Sequence, residues 1–257
     1  DAPTFASYKM PIVYDVAASK LSVIPFSTDG LGASFGFELL NTGAVRNNRL
    51  TEHRKEVSAQ QYLGTDGAAT GFAFVAYHDT GYVNYSLWKP VHGSSSASFL
   101  NYLRVAATPQ VAGWDLGVGG QLWSGTSTDE TTAPNTEEKA DAWAIDAQAQ
   151  GSVGSMPLGV YLTYGSVGKD STLQKADSKA ATIAAELSVL PSTQVSVALR
   201  TAETTGKSDN AIALGVKYLL AQNVQLSLNH SIYSGDAYDP KPGTGDQLST
   251  LMIFAAF

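Results

Sequence analysis

The chain contains no cysteine. That excludes disulfides, thiolate metal centres and a covalently attached c-type haem, which needs Cys-x-x-Cys-His. It also has no run of the roughly 18 apolar residues that a spanning helix requires, so it can cross a membrane only as strands. Positive charge is scarce: 16 Lys and Arg stand against 23 Asp and Glu, a net charge of −7 with pI near 5.0. This disfavours nucleic acid as a partner. There is no Gly-x-Ser-x-Gly motif of a hydrolase and no glycine-rich phosphate loop. The four histidines, His53, His78, His92 and His230, show no ligand spacing such as His-x-x-x-His. The expectation is a protein that is not an enzyme and holds no metal or cofactor.

A mean hydropathy of −0.06 with 44% hydrophobic residues is too apolar for disorder and too polar for a helical membrane protein. No signal peptide begins at Asp1, as expected of a secreted chain numbered from its mature end. Most of what is present is alternation. In 224–234, Val224, Leu226, Leu228 and Ile232 share one parity, opposed by Gln225, Ser227, Asn229 and Ser231. In 141–153, Trp143, Ile145, Ala147 and Ala149 oppose Asp146, Gln148 and Gln150. A period of two puts each set on one face of a strand.

From residue 71 onward the pattern is a train of hairpins. Short turns at 78–81, 108–113, 154–157, 191–193 and 221–223 alternate with longer polar connections at 90–98, 125–140, 168–179, 203–210 and 235–246. A transmembrane barrel has this asymmetry, with short turns at one end and long loops at the other. A soluble sandwich has no reason to sort loops by parity. The final stretch adds Leu251, Ile253 and Phe257 on one parity, like the closing and assembly signature of outer-membrane barrels. The soluble alternative is the last strand of a sandwich. The expected fold is therefore all-β, a closed antiparallel transmembrane β-barrel forming one domain over 1–257. Counting back from Phe257, with even numbers required of bacterial barrels, gives about 14 strands, with about 12 as the next choice. Gly32 to Leu40 is read as one of the upstream strands.

Residues 41–70 break the alternation and carry Arg46, Arg49, Arg54 and Lys55. So long a connection in a barrel either folds into the lumen as a constriction or stands outside as a solvated loop. On lumen parity stand Glu38, Arg104, Asp115, Asp146, Glu186, Arg200 and Lys217. They either set the field a solute meets or pair across neighbouring strands and stiffen the wall. Tyr77, Tyr82, Tyr85, Trp88, Trp123, Tyr164, Tyr233 and Phe257 lie near strand ends, where an aromatic girdle would sit. Asp129, Glu130, Glu137 and Glu138 read as a solvated acidic loop.

Three runs, Gly71-Phe-Ala-Phe-Val-Ala-Tyr-His-Asp-Thr-Gly-Tyr-Val-Asn-Tyr-Ser-Leu-Trp-Lys89, Trp143-Ala-Ile-Asp-Ala-Gln-Ala-Gln150 and Ser27-Thr-Asp-Gly-Leu-Gly-Ala-Ser-Phe35, together with Phe257, resemble the porin portion of outer-membrane cytochrome–porin fusions. Those proteins, known from iron-oxidising bacteria, pair a small haem domain with a barrel and pass electrons across the outer membrane. The resemblance implies a barrel in the bacterial outer membrane. No haem ligand carries over, because the haem motif is missing. Two functions follow as expectations: a porin-like channel for small hydrophilic solutes or ions, or a sheath or docking partner for a c-type cytochrome. The other expected partners are outer-membrane lipid, the barrel-assembly machinery and further copies of the chain.

Overall fold

A computed structural model describes residues 8–29, 36–38, 58–65, 67–90, 98–129, 136–169, 171–173, 176–238 and 245–255. Strands β1 (Tyr8–Lys9) and β2 (Ile12–Val16) both pair with β3 (Ser19–Asp29). A long connection leads to β4 (Ala68–His78), which forms a hairpin with β5 (Gly81–Pro90). Next come β6 (Leu100–Ala107), the two-residue β7 (Gln110–Val111) and β8 (Trp114–Asp129). The remaining strands are β9 (Thr136–Val153), β10 (Met156–Val167), β11 (Ser178–Leu190), β12 (Thr193–Thr204), β13 (Lys207–Ala221), β14 (Val224–Ser234) and β15 (Gln247–Ala255). Every ladder between them is antiparallel, and all fifteen strands belong to one sheet. Among the described residues, no ladder joins β15 to the β1–β2 end.

The alternation decides which face is which. Phe72 and Phe74 are 44% and 42% exposed, whereas Ala73 and Val75 beside them are 2% exposed. The same rule puts Ile183, Leu199, Ile212, Leu214, Leu228, Leu251 and Ile253 on the outside. Inside stand Ser86, Asn84, Arg104, Gln121, Asp146, Thr163 and Ser231. A soluble sandwich buries its large aliphatic side chains against a second sheet. Here the large aliphatics face out and small or polar residues face in, so this is an inside-out sheet. The sheet curls around the segments between β3 and β4. Phe37 packs on Arg104 of β6, and the short helix α1 (Ala59–Tyr62) lies against β10, β11 and β12.

Several sequence expectations need correction. Residues 36–38 are not strand but lie inside, so the strand expected over 32–40 is not there in its described part. The connection at 203–210 is not a loop: β12 and β13 run together to a two-residue turn, Thr205-Gly206, with φ of 50° and 80°. Two successive positive φ values fit the hairpin turn whose twist matches the strands, and glycine accepts the second without strain. The polar composition of that stretch imitates a loop. Likewise 125–140 is mostly strand: β8 reaches Asp129 and β9 starts at Thr136, carrying Glu137 and Glu138. Tyr82, Trp88, Trp123 and Tyr233 are not girdle residues, because all four point inward, Trp88, Trp123 and Tyr233 being buried and Tyr82 bonding Arg104. Tyr77 likewise stands on the inner parity, directly across from Tyr82 with its ring 5.8 Å away, while Tyr85 and Tyr164 do face out. Leu251 and Ile253 stand on the outer face of β15, each 68% exposed, and Phe257 lies outside the described residues.

Candidate functional site

The enclosed face of the sheet is the candidate site, and it has two ends. The tight turns at 79–80, 154–155, 191–192 and 222–223 mark one end, and the longer connections mark the other.

At the loop end the inner segment fills part of the interior. Ser58 caps α1: its hydroxyl oxygen accepts from Gln61 N at 3.1 Å. The Glu38 carboxyl accepts the next two free amides, Ala59 N at 2.6 Å and Gln60 N at 3.2 Å. These are the amides that a helix start leaves without intrahelical partners. Burial pushes the Glu38 carboxyl up from an ordinary 4.5 to about 7, with the nearby Asp146 carboxylate adding to the rise and the three hydrogen-bond donors opposing it. Glu38 thus serves a helix on the inner segment and is not a wall residue, contrary to its strand-parity reading. Beyond α1, Leu63 is fully buried in a cluster with Ala59, Trp88, Leu100, Tyr102, Trp123, Ala142, Ala144, Val167, Ala180 and Ala202. Tyr62 bonds Thr204 through its hydroxyl at 2.9 Å, and the Arg200 guanidinium lies 4.3 Å above its ring. Both side-chain polar atoms of Gln60, which is fully buried, lack a hydrogen-bond partner among the described residues.

Across the middle runs a polar belt. Arg104 donates from Nη1 to Asp146 Oδ2 and from Nη2 to Oδ1, each at 2.7 Å, with both side chains fully buried. Its Nε donates to Tyr82 Oη at 2.9 Å. Arg104 sits on β6 and Asp146 on β9, so the guanidinium must cross β8. It does so over Gly119, where a Cβ would come within 2.6 Å of Nη2. Gln121 on β8 donates to Asp146 at 2.8 Å and accepts from Tyr102 Oη at 2.9 Å. Phe37, from the inner segment, covers the guanidinium at 4.7 Å and lies where a Cβ on Gly117 would be.

A second pair repeats the plan. Lys217 on β13 donates to Glu186 on β11 at 2.7 Å, reaching across β12, from which Gln194 donates to Glu186 at 3.2 Å. Arg200 pairs with Asp209 of the adjacent strand. Six of the sequence candidates, counting Glu38, are thereby engaged. Asp115, the seventh, is exposed at the turn end, where Gln110 donates to it at 2.6 Å. There the interior opens into a cavity of about 330 Å³ lined by Asp115, Gln150, Tyr161, Glu186, Ser188 and Gln194 among others. Arg46, Arg49, Arg54 and Lys55 lie outside the described residues.

The wall contributors that sequence reading missed are Tyr82, Tyr102, Gln121 and Asp209, with Phe37, Gln60, Tyr62 and Leu63 from the inner segment. Inward parity would have found the wall residues on β6 and β8. Nothing local marks the inner segment, since four helical residues are too few to show a period.

No protein-family model matches the sequence, and no curated protein matches it either. Solved structures do. A loop-deletion form of OmpT, an outer membrane protein of Vibrio cholerae, aligns at a TM-score of 0.53 and 16% identity, covering 95% of this chain and 77% of that one. The anion-selective porin from Comamonas acidovorans aligns at 0.54 and 11%, covering 89% and 67%. The outer membrane protein OpdK from Pseudomonas aeruginosa aligns at 0.55 and 9%, covering 97% and 69%. The chain has the fold of outer-membrane β-barrel porins.

Proposed function

We propose that this chain closes into a barrel in a bacterial outer membrane and acts as a narrow, porin-like channel for small hydrophilic solutes or ions. The observation that carries the reading is the inverted polarity of the sheet. A continuous outer band of Leu, Ile, Val and Phe is stable against hydrocarbon, and a polar, hydrogen-bonded wall is stable against water. The fold of known porins supports it. In this reading the tight turns face the periplasm and the long connections face out. Lipid covers the band, and Leu251, Ile253 and Phe257 serve the assembly machinery. α1 narrows the outer half of the passage, and solute crosses by passive diffusion.

The test is swelling of proteoliposomes loaded with the purified, folded protein. Small neutral solutes should enter at rates that fall steeply with size, and folded protein that admits none would refute the channel. A sheath for a c-type cytochrome rests on the sequence resemblance alone. α1 already occupies interior volume that a guest chain would need, which favours the channel.

A further inference from the structure

Resting on the channel reading, we infer that the passage prefers cations, including ammonium-bearing solutes, over anions, and that Asp115 is the residue that sets the preference. Apart from Glu38, whose carboxyl is buried against the start of α1 and out of a solute's path, the charges that face inward on the strands largely cancel in pairs. Arg104 is matched by Asp146, Lys217 by Glu186 and Arg200 by Asp209. Opposite charges in contact leave only a short-range dipole, which deflects a passing ion far less than a net charge does. Asp115 is different. Among the described residues it has no cationic partner, and the group that donates to it is the neutral Gln110 amide.

Position gives this charge its reach. Asp115 lines the turn-end cavity together with Gln150, Ser188 and Gln194, which are neutral, and with Glu186, whose charge Lys217 already meets. A cavity of about 330 Å³ has the volume of a sphere of roughly 4 Å radius, well inside the Debye length of about 10 Å at 0.1 M salt. An ion passing through it stays within one Debye length of Asp115 and feels most of its field. Rings of acidic side chains favour cations in channels by this field effect, and one carboxylate in so small a volume acts in the same sense. The anion-selective porin of similar fold shows no conflict, because selectivity lies in side chains and not in the barrel.

The experiment is the reversal potential of the purified full-length protein in a planar bilayer under a salt gradient. The wild type should be cation-selective severalfold. Asp115→Asn should move the permeability ratio most of the way to unity, and Asp115→Lys should invert it. The paired variant Glu186→Gln with Lys217→Gln should leave the ratio close to wild type. Asp115 is exposed, so the variants should fold; the heat-dependent gel shift of the barrel checks this. Anion selectivity of the wild type would overturn the inference and hand the field to Arg46, Arg49, Arg54 and Lys55, while leaving the channel intact. An unchanged ratio in Asp115→Asn would also overturn it. Folded protein without conductance defeats the channel reading and this inference with it.

Discussion

Along β9 the inward residues are Ala140, Ala142 and Ala144 toward the loop end, then Asp146, Gln148 and Gln150 toward the turn end. On β11 and β12 the change is less complete: Ala180 and Ala184 alternate with the inward Ser178 and Thr182 before Glu186 and Ser188, and Ala202 and Ala198 alternate with Thr204 and Arg200 before Ser196 and Gln194. The two halves of the interior differ because their side chains do different work. Alanine keeps the wall thin and dry, which leaves room for α1 and Leu63 to pack. Amides, hydroxyls and carboxylates at the other end satisfy one another while staying wet. The filled half is held by apolar burial, and among the described residues the Gln60 amide within it has no hydrogen-bond partner; a buried amide left so costs about 1–3 kcal/mol per polar atom.

The sharpest way to break the comparison is at the belt between the halves. Arg104→Ala leaves the buried Asp146 carboxylate without its cation and should destabilise the folded form by about 3–5 kcal/mol, read as a lower unfolding midpoint in detergent. Arg104→Met with Asp146→Leu should recover most of that loss. Within the filled half, Leu63→Ala should weaken docking of α1 by about 2–5 kcal/mol. Amide exchange at 61–65 should accelerate while the barrel transition stays put; equal shifts would mean that the inner segment and the wall are one cooperative unit.

Glu38 gives the filled half a pH dependence of its own. Its carboxyl holds a proton more tightly when docked, with a pKa near 7 against 4.5 when free. Docking is therefore fully favoured below pH 4.5 and weakens as pH rises through 7, by roughly 3 kcal/mol. Protection of the α1 amides should fall across that window, and Glu38→Gln should flatten the profile. The smallest effect belongs to Gly119→Ala: a methyl under the guanidinium must push Arg104 aside, at about 1–3 kcal/mol. A comparable loss from Gly120→Ala, where a Cβ meets nothing closer than 4.0 Å, would show that the crossing is not the cause.

Much of this is legible in the residues alone. Strands from 68 to 255 follow from alternation and tight turns, because a pleated strand between two environments must alternate. The wall charges are legible by parity, but their partners are not: Arg104 meets Asp146 across an intervening strand, and only the register and Gly119 allow it. The stretch Gly36-Phe37-Glu38 alternates like a strand, yet on the inner side of the sheet the same Phe and Glu serve Arg104 and a helix start. The polar stretch at 203–210 hides a hairpin because Thr and Ser suit exposed strands as well as loops.

Accessibility of single cysteines tests the central claim most directly, since the chain has none of its own. In lipid vesicles, Gln150→Cys and Ser188→Cys should react quickly with a charged, water-soluble thiol reagent. Ala142→Cys and Ala180→Cys should react slowly, and Leu214→Cys and Leu228→Cys should react only with a lipid-soluble one. Rapid labelling of the Leu214 and Leu228 positions by the charged reagent, or equal rates at both ends of the interior, would contradict the account.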